Sequence, residues 1–346
     1  MRWRLPGLRC NAANDLGDWG GYVMQAAVYH QRGPAREVLQ VVQLPDPVPG
    51  PGEVRVHMRV SGVNATDCKV RSAGAALPAF GQIPHQDGAG EVDAVGAGVD
   101  HARLGQRVWV YHAAAGRPNG TAATYTCVPA DQAIPLPEGV SYSQGAGLGI
   151  PYITAHRCVF ADGPVMGRTL LVTGGAGAVG NAAIQLACWG GAQVLATVSS
   201  ADKRRLAVAA GAWQALDYRS ADYVAHVRAA APAGVDRVID VAVGANLQTD
   251  LDVLAPHGVV VAYGSDAPDP TLPVRRLMVA NAALRFVLVY NLTAGMIAQA
   301  FTEITQALEA GALTPLPEHR FALRDIVDAH EAVEGGAVGK VLVDIP

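Results

Sequence analysis

Residues 172–187 read VTGGAGAVGNAAIQLA, with Gly174, Gly177 and Gly180 at every third position. An apolar run precedes them and a run with helical spacing follows. In that setting Gly174 allows a tight exit from a strand, Gly177 lets the backbone approach a pyrophosphate, and Gly180 lets helix and strand pack closely. The helix N-terminus adds unpaired N–H groups and a partial positive charge, so the chemistry indicated is phosphate binding. The chain holds 39 glycines, so the spacing alone fits a plain strand–helix turn as well. The residues downstream narrow the choice. The next apolar run ends Thr197-Val198-Ser199-Ser200, and Lys203, Arg204 and Arg205 follow. An acid at that point would bind a ribose 2′-hydroxyl; hydroxyls and cations are what a 2′-phosphate needs. Arg204 and Arg205 also fit a solvated helix face, and Asp202 offsets part of the charge. The cofactor these residues specify is NADPH. No Ser/His/Asp set marks a nucleophile.

The loop needs a strand behind it and a helix ahead, and the surrounding chain supplies both. From residue 142 to 290 strands alternate with helices. Strands are expected at 169–173, 193–198, 215–217, 235–241, 259–263 and 283–289, with helices at 178–189, 203–210, 221–230 and 246–254. Alternation at this spacing implies α/β structure with a doubly wound parallel sheet. Residues 24–148 read differently. Short apolar runs at 26–29, 53–60, 90–95, 107–111 and 124–128 are separated by Pro/Gly punctuation such as LPDPVPGPGE, so an all-β unit is expected there. One helix is expected around 64–72. Residues 295–311 and 321–336 read as helices, and 340–344 as a strand that returns to the β unit.

Composition sets the outer bounds. A chain of 346 residues accommodates two domains, and 50% hydrophobic with 16% charged residues marks a compact globular protein. The net charge of −4 gives no reason to expect nucleic acid or an anionic membrane as partner. Five cysteines are scattered and none forms a CxxC pair, which argues against disulfides and thiolate zinc and fits a reducing, cytoplasmic setting. No apolar stretch reaches the length of about 18 residues that spans a bilayer. Residues 1–23 lack a continuous apolar core and are expected to be a disordered extension or an upstream start, a docked arm being the other reading, with folded sequence beginning at Met24.

Several stretches together resemble the medium-chain dehydrogenase/reductase superfamily, and within it the zeta-crystallin-like NADPH:quinone reductases. They are SGVNATDCKVRSAG (61–74), PHQDGAGEVDAVGAGV (84–99), GQRVWV (105–110), GIPYITAHR (149–157), VTGGAGAVG (172–180), AGAWQALDYR (210–219) and GKVLVDIP (339–346). The resemblance implies a GroES-like β domain over 24–148 and 292–346, a Rossmann domain over 149–291, and a site in the cleft between them. It implies that Ala176, Gly177, Ala178 and Val179 cradle the pyrophosphate. Ser199, Lys203 and Tyr218 would surround the 2′-phosphate, with Arg219 assisting. Asn246 and the turn with Tyr263, Gly264 and Ser265 would line the adenosine and nicotinamide side, and Phe286, Val287 and Leu288 would lie beside the nicotinamide amide. Asn64 and Tyr152 would face nicotinamide and substrate. Where zinc alcohol dehydrogenases carry ligands this chain has Asn64, Gln86 and Ile150, and residues 105–127 lack the four-cysteine lobe, so no metal is expected. His85, with Asp87 and Cys68 nearby, could scavenge a metal, but it is off register by one and reads as a loop histidine making ordinary hydrogen bonds. Lys69 stands where the family often has tyrosine, which leaves the substrate wall open.

The chemistry implied is hydride transfer to a quinone, with the cofactor carrying the reaction and the protein supplying position and electrostatics. Asn64 would donate to a developing oxyanion or cap a turn. Tyr152 would stack, donate a proton or simply pack. Asp67 is expected to cap the helix that follows Asn64. Two rival readings stay open: an enal, enone or enoyl-thioester reductase, and an NADPH-binding protein with little catalysis. A thioester enzyme would want a basic groove, and only Arg275-Arg276 suggests one. The apolar run 283–290 reads as a sheet edge that would pair two copies into a homodimer.

Overall fold

The computed structural model describes residues 23–74, 77–78 and 81–346. The extension expected over 1–23 lies outside them except at Val23. That residue opens the first strand, Val23–Val28, one position before the expected start.

The doubly wound sheet is present. Gln214–Asp217, Gln193–Val198, Thr169–Val172, Val235–Asp240, Leu254–Ala262 and Ala283–Phe286 lie side by side in that order. All are parallel to their neighbours. Counted along the chain from Thr169–Val172, the order is 3-2-1-4-5-6, which reverses between Thr169–Val172 and Val235–Asp240. Ligands of such sheets bind in the crevice at that reversal. The central strands are covered on both faces, which is why Leu170, Leu171, Val172, Val238 and Ile239 are all fully buried.

The β unit is built on Glu53–Val63, whose residues Val54, Val56, Met58 and Val60 alternate inward. Its sheet runs Glu318–Ala322, Lys340–Asp344, Glu53–Val63, Asp87–Val95, Arg107–Val110, Ala133–Pro135, with Tyr125–Pro129 also paired to Glu53–Val63. Lys340–Asp344 lies antiparallel to Glu53–Val63, with Val341 opposite Val63. That pairing sets Lys340 beside Asn64, a neighbour far away in sequence.

Some elements differ from expectation. The helix expected over 321–336 is a strand, Glu318–Ala322, followed by a shorter helix, Ile326–Glu334. EHRFA carries too many charges to show an apolar period, yet as an edge strand parallel to Lys340–Asp344 it exposes them harmlessly. The last Rossmann strand stops at Phe286, and Val289–Asn291 turns away. The helix expected at 246–254 runs Val243–Val253. The helix Ala294–Glu309 falls within the span grouped with the β unit at 292–346, but it packs on Gly149–Phe160 and Ala178–Trp189. Its stripe of Ala300, Ile304, Ala307 and Leu308 joins their core, and Glu303 bonds His156 Nε2 at 2.8 Å.

Candidate active site

The glycine loop has the geometry its spacing implies. Gly174 takes a left-handed φ of +66° as the chain leaves Thr169–Val172. Gly177 is the N-cap of the helix Ala178–Trp189. A Cβ on Gly177 would meet only the Gly174 carbonyl oxygen, at 3.4 Å, so its outer side stays open. A Cβ on Gly180 would overlap that same oxygen, so helix and loop are as close as backbones allow. The first-turn N–H groups of this helix have no intrahelical partners and face the crevice.

A cavity of about 920 Å³ runs from this loop into the cleft. It has the size of a large ligand site. Of the residues singled out from sequence, Asn64, Gly174, Ala176, Gly177, Ala178, Val179, Ser199, Lys203, Tyr218, Asn246, Tyr263, Gly264, Ser265, Val287 and Leu288 line it together. At one end Lys203 Nζ donates to Ser199 Oγ at 3.1 Å, beside Tyr218. Lys69 also lines the wall.

Four expected site residues lie elsewhere. Gly180 is packed beneath the loop. Ser200 caps the helix Ala201–Ala209, its Oγ accepting from Lys203 N at 3.3 Å. Phe286 is 65% exposed on the sheet edge, outside the cavity wall. Tyr152 lies on the far side of the helix Gly149–Phe160. Ile150, Pro151 and Thr154 face the large cavity, and helical geometry turns Tyr152 away from them. Tyr152 instead lines a separate cavity of about 30 Å³ with Gly147, Leu316 and Glu318. Its hydroxyl receives a bond from Gln185 Nε2 at 3.4 Å, and burial pushes it up to about 12. Arg219 is engaged too, paired with Asp217 and donating to the Ser199 carbonyl.

Asn64 sits in a buried polar cluster. Its N–H donates to Asp67 Oδ2 at 2.8 Å, so Asp67 caps the helix Ala65–Ser72 as expected. Its side chain donates from Nδ2 to Asp87 Oδ2 at 2.6 Å and accepts at Oδ1 from Lys340 Nζ at 2.7 Å. Lys340 also donates to the Val63 carbonyl at 3.1 Å. Both Asp87 oxygens receive the Ile150 N–H, at 3.0 and 2.9 Å. Gly149 makes room for this, since a Cβ there would overlap the Asp87 carboxylate. Burial pushes Asp67 up to about 7 and Asp87 up to about 6, and it pulls Lys340 down. From sequence Lys340 was not picked out, and Asp87 only as a neighbour of His85. Each is a lone charge inside an apolar or glycine run (QDGAG and GKVLV), which is the signal that marks them.

His85 does make ordinary hydrogen bonds, though deep in the interior and with a φ of +77°. Arg71 only donates, so its bond from Nε to His330 Nδ1 at 3.4 Å fixes the direction of a whole chain. His330 Nε2–H then donates to His85 Nε2 at 3.0 Å, and His85 Nδ1–H to Ser61 Oγ at 2.7 Å. Ser61 donates to Thr121, and Thr121 to the Asp87 carbonyl at 2.6 Å. Burial holds both imidazoles neutral. The zinc ligand positions do not fit a metal. The Asn64 amide is occupied, Gln86 Oε1 accepts from Ala114 N at 3.1 Å, and Ile150 offers no donor atom. Among the described residues, no group of three or more His, Cys, Asp or Glu is arranged to hold an ion.

Comparison with known proteins fits this architecture. The family described as "Alcohol dehydrogenase GroES-like domain" matches residues 50–138, and "Zinc-binding dehydrogenase" matches 178–309. The mouse quinone oxidoreductase is 31% identical over 305 residues, spanning 86% of this chain and 90% of that protein. The chain belongs to the quinone oxidoreductase-like branch of the medium-chain dehydrogenase/reductase superfamily. Solved members of the superfamily superpose over nearly all of it. A structure titled as an NAD-dependent alcohol dehydrogenase has a TM-score of 0.85 at 28% identity, covering 93% of this chain and 100% of its own. The mycobacterial protein Rv1454c, solved in complex with NADPH, has a TM-score of 0.81 at 29% identity over the same shares. Relatives of this one fold thus differ in the cofactor named for them, so cofactor choice rests on the residues of each chain.

Proposed function

We propose that this protein is a zinc-independent NADPH-dependent reductase of quinones. The observation that carries the reading is that the glycine loop, the Ser199–Lys203 pair and Asn64 line one continuous cavity. The loop and helix N-terminus suit a pyrophosphate, and Ser199, Lys203 and Tyr218 suit a 2′-phosphate. The nicotinamide, when bound, supplies a hydride. The chain's own part is electrostatic: Asn64 donates a hydrogen bond to the carbonyl oxygen of a quinone as that oxygen gains charge. Gly177 and Val179 would hold the phosphates, and Val287 lines the cavity on the side proposed for the ring. The quinone oxidoreductase relatives support the substrate class.

Steady-state NADPH oxidation with 1,2- and 1,4-quinones, set beside 2-alkenals, tests the reading. Turnover of quinones supports it. Preference for alkenals moves the protein to the carbon-reducing class, and tight NADPH binding without turnover makes it a binding protein. Arg276 is tied to Asp252 and Gln248, which leaves little basic surface for a thioester's phosphate. A chelator is expected to leave turnover unchanged; its loss would overturn zinc independence.

Lys203→Ala removes a cation from the 2′-phosphate end. A hydrogen bond to a charged group contributes about 1.5–3 kcal/mol, so NADPH binding should weaken roughly 10- to 100-fold while NADH binding barely moves. Equal effects on both, read by fluorescence titration, would refute the assignment.

The homodimer belongs to this reading as well. Ala283–Phe286 is one of the two edge strands of its sheet, and Phe286, Leu288, Val274, Met278 and Val279 are exposed apolar residues on or beside it. Phe286→Arg is expected to turn a dimer into a monomer on gel filtration; a wild-type monomer would defeat the proposal. Among the described residues no helix is long and apolar enough to cross a membrane. Cys68, Cys127, Cys158 and Cys188 are unpaired, which supports a cytoplasmic setting.

A further inference from the structure

The bonds around Asn64 decide which way its amide faces. An ammonium can only donate and a carboxylate can only accept. Oδ1 must therefore be the atom against Lys340, and Nδ2 the atom against Asp87. Turning the amide over would set N–H against N–H and oxygen against oxygen. Nδ2 carries two hydrogens and Asp87 takes one. Asn64 lines the large cavity, and Asp87 is the one partner of its Nδ2 among the described residues, which leaves the second hydrogen for a ligand.

We propose that Lys340 and Asp87 are positioning residues for the reduction, holding Asn64 so that it presents a hydrogen-bond donor, and only a donor, to the substrate oxygen. The inference rests on the role given to Asn64 above. Lys340 acts through the amide: its charge on Oδ1 polarises the C–N bond and strengthens the remaining N–H as a donor. Asp87 acts through the other hydrogen, and the Ile150 N–H keeps the carboxylate in place. A site built this way favours a carbonyl that gains negative charge, such as a quinone or a conjugated ketone. An alcohol giving up its proton would need an acceptor, which this arrangement does not offer.

The small cavity provides the means of testing this. The Lys340 stem passes along it, and the cavity reaches the exposed residues Pro315 and Glu318. Lys340→Ala opens the space of the stem to that side, so a small amine added to the buffer can enter where Nζ was. Lys340→Ala is expected to lower kcat about tenfold, with NADPH affinity within about twofold of wild type, since the residue acts on the reacting end. Ethylamine should restore part of that turnover. In an Asn64→Ala background neither the lysine substitution nor ethylamine should change kcat further, because the effects run through one amide. Asp87→Asn is the independent second variant. An asparagine there can meet Asn64 with either end, so kcat should fall about tenfold while NADPH binding persists.

The pH profile adds a readout that packing would not move. The groups facing Asp87 are Asp67, Lys340, Tyr111 and Tyr290, and His85 feels Lys340. Asp67 and Asp87 take up protons as pH falls, Asp67 through about 7 and Asp87 through about 6, so the acceptor for Asn64 is lost and kcat declines on the acid side. Asp87→Asn should remove the lower part of that decline. Losses that multiply between Asn64→Ala and Lys340→Ala, or ethylamine rescue that persists without Asn64, would overturn the proposal alone. Wild-type turnover in Asn64→Ala would overturn the donor role itself and this inference with it.

Discussion

Asn64→Ala should lower kcat for quinone reduction about 100-fold or more, the usual cost of removing one preorganised donor to an oxyanion. NADPH affinity should change little, because the residues proposed for its phosphates lie at the other end of the cavity. The substitution also leaves Asp87 and Lys340 without the amide between them. Some loss of stability is therefore expected, since buried polar atoms lose their partners. Stopped-flow hydride transfer at saturating NADPH, with a thermal melt of the same protein, separates the two effects. A folded Asn64→Ala variant with wild-type kcat would remove Asn64 from the chemistry.

The second large effect concerns the loop. Gly180→Ala adds a single methyl, but that methyl overlaps the Gly174 carbonyl oxygen and crowds Gly175. Neither neighbour is a movable side-chain tip, so the helix must shift off the strand. Overpacking of this kind costs about 1–3 kcal/mol, and here it also displaces the N–H groups that face the cavity. Gly180→Ala is thus expected to lower Tm by several degrees and to weaken NADPH binding by roughly two orders of magnitude, on a loss of about 3 kcal/mol. Gly177→Ala is the contrasting case. Its methyl meets only ordinary contact, so Tm should hold while the side facing the ligand is crowded. Thermal melts with and without NADPH distinguish the pair. Equal melts and equal affinities for the two variants would refute the division of roles among the glycines.

The glycines, the parallel strands and the Ser199–Lys203 pair were legible in the sequence because each rests on local chemistry: a turn, a buried apolar run, a cap. Tyr152 was misplaced by one such local matter. Family likeness put it in the site, while the helical rotation relative to Ile150 and Thr154 sends it to the opposite face. Phe286 erred in the same way on a strand, where Val287 and Leu288 line the cavity and Phe286 does not. The Asp87–Asn64–Lys340 cluster was out of reach for another reason. Lys340 is brought to Asn64 by the antiparallel pairing of Lys340–Asp344 with Glu53–Val63, and Asp87 by the pairing of Asp87–Val95 with that same strand, and no period within any of the three segments announces those registers. The strand Glu318–Ala322 stayed hidden because an edge strand can carry Glu318, His319 and Arg320 in succession without an apolar period.

That pairing also bears on how the protein comes to be made. The bond from Lys340 to Asn64 spans 276 residues, and the sheet that carries both cannot close until the later segment has been synthesised. On the ribosome, Asn64, Asp67 and Asp87 emerge early and wait through translation of the entire nucleotide-binding half. During that wait two carboxyls destined for burial have no lysine to balance them, so they favour water over the interior. The β unit is then expected to stay open while the parallel sheet folds, and to be sealed afterwards by the returning strand. Long-range closures of this kind are slow steps. A nascent chain stalled before residue 340 should accordingly carry a protease-resistant nucleotide-binding half joined to a protease-sensitive β unit.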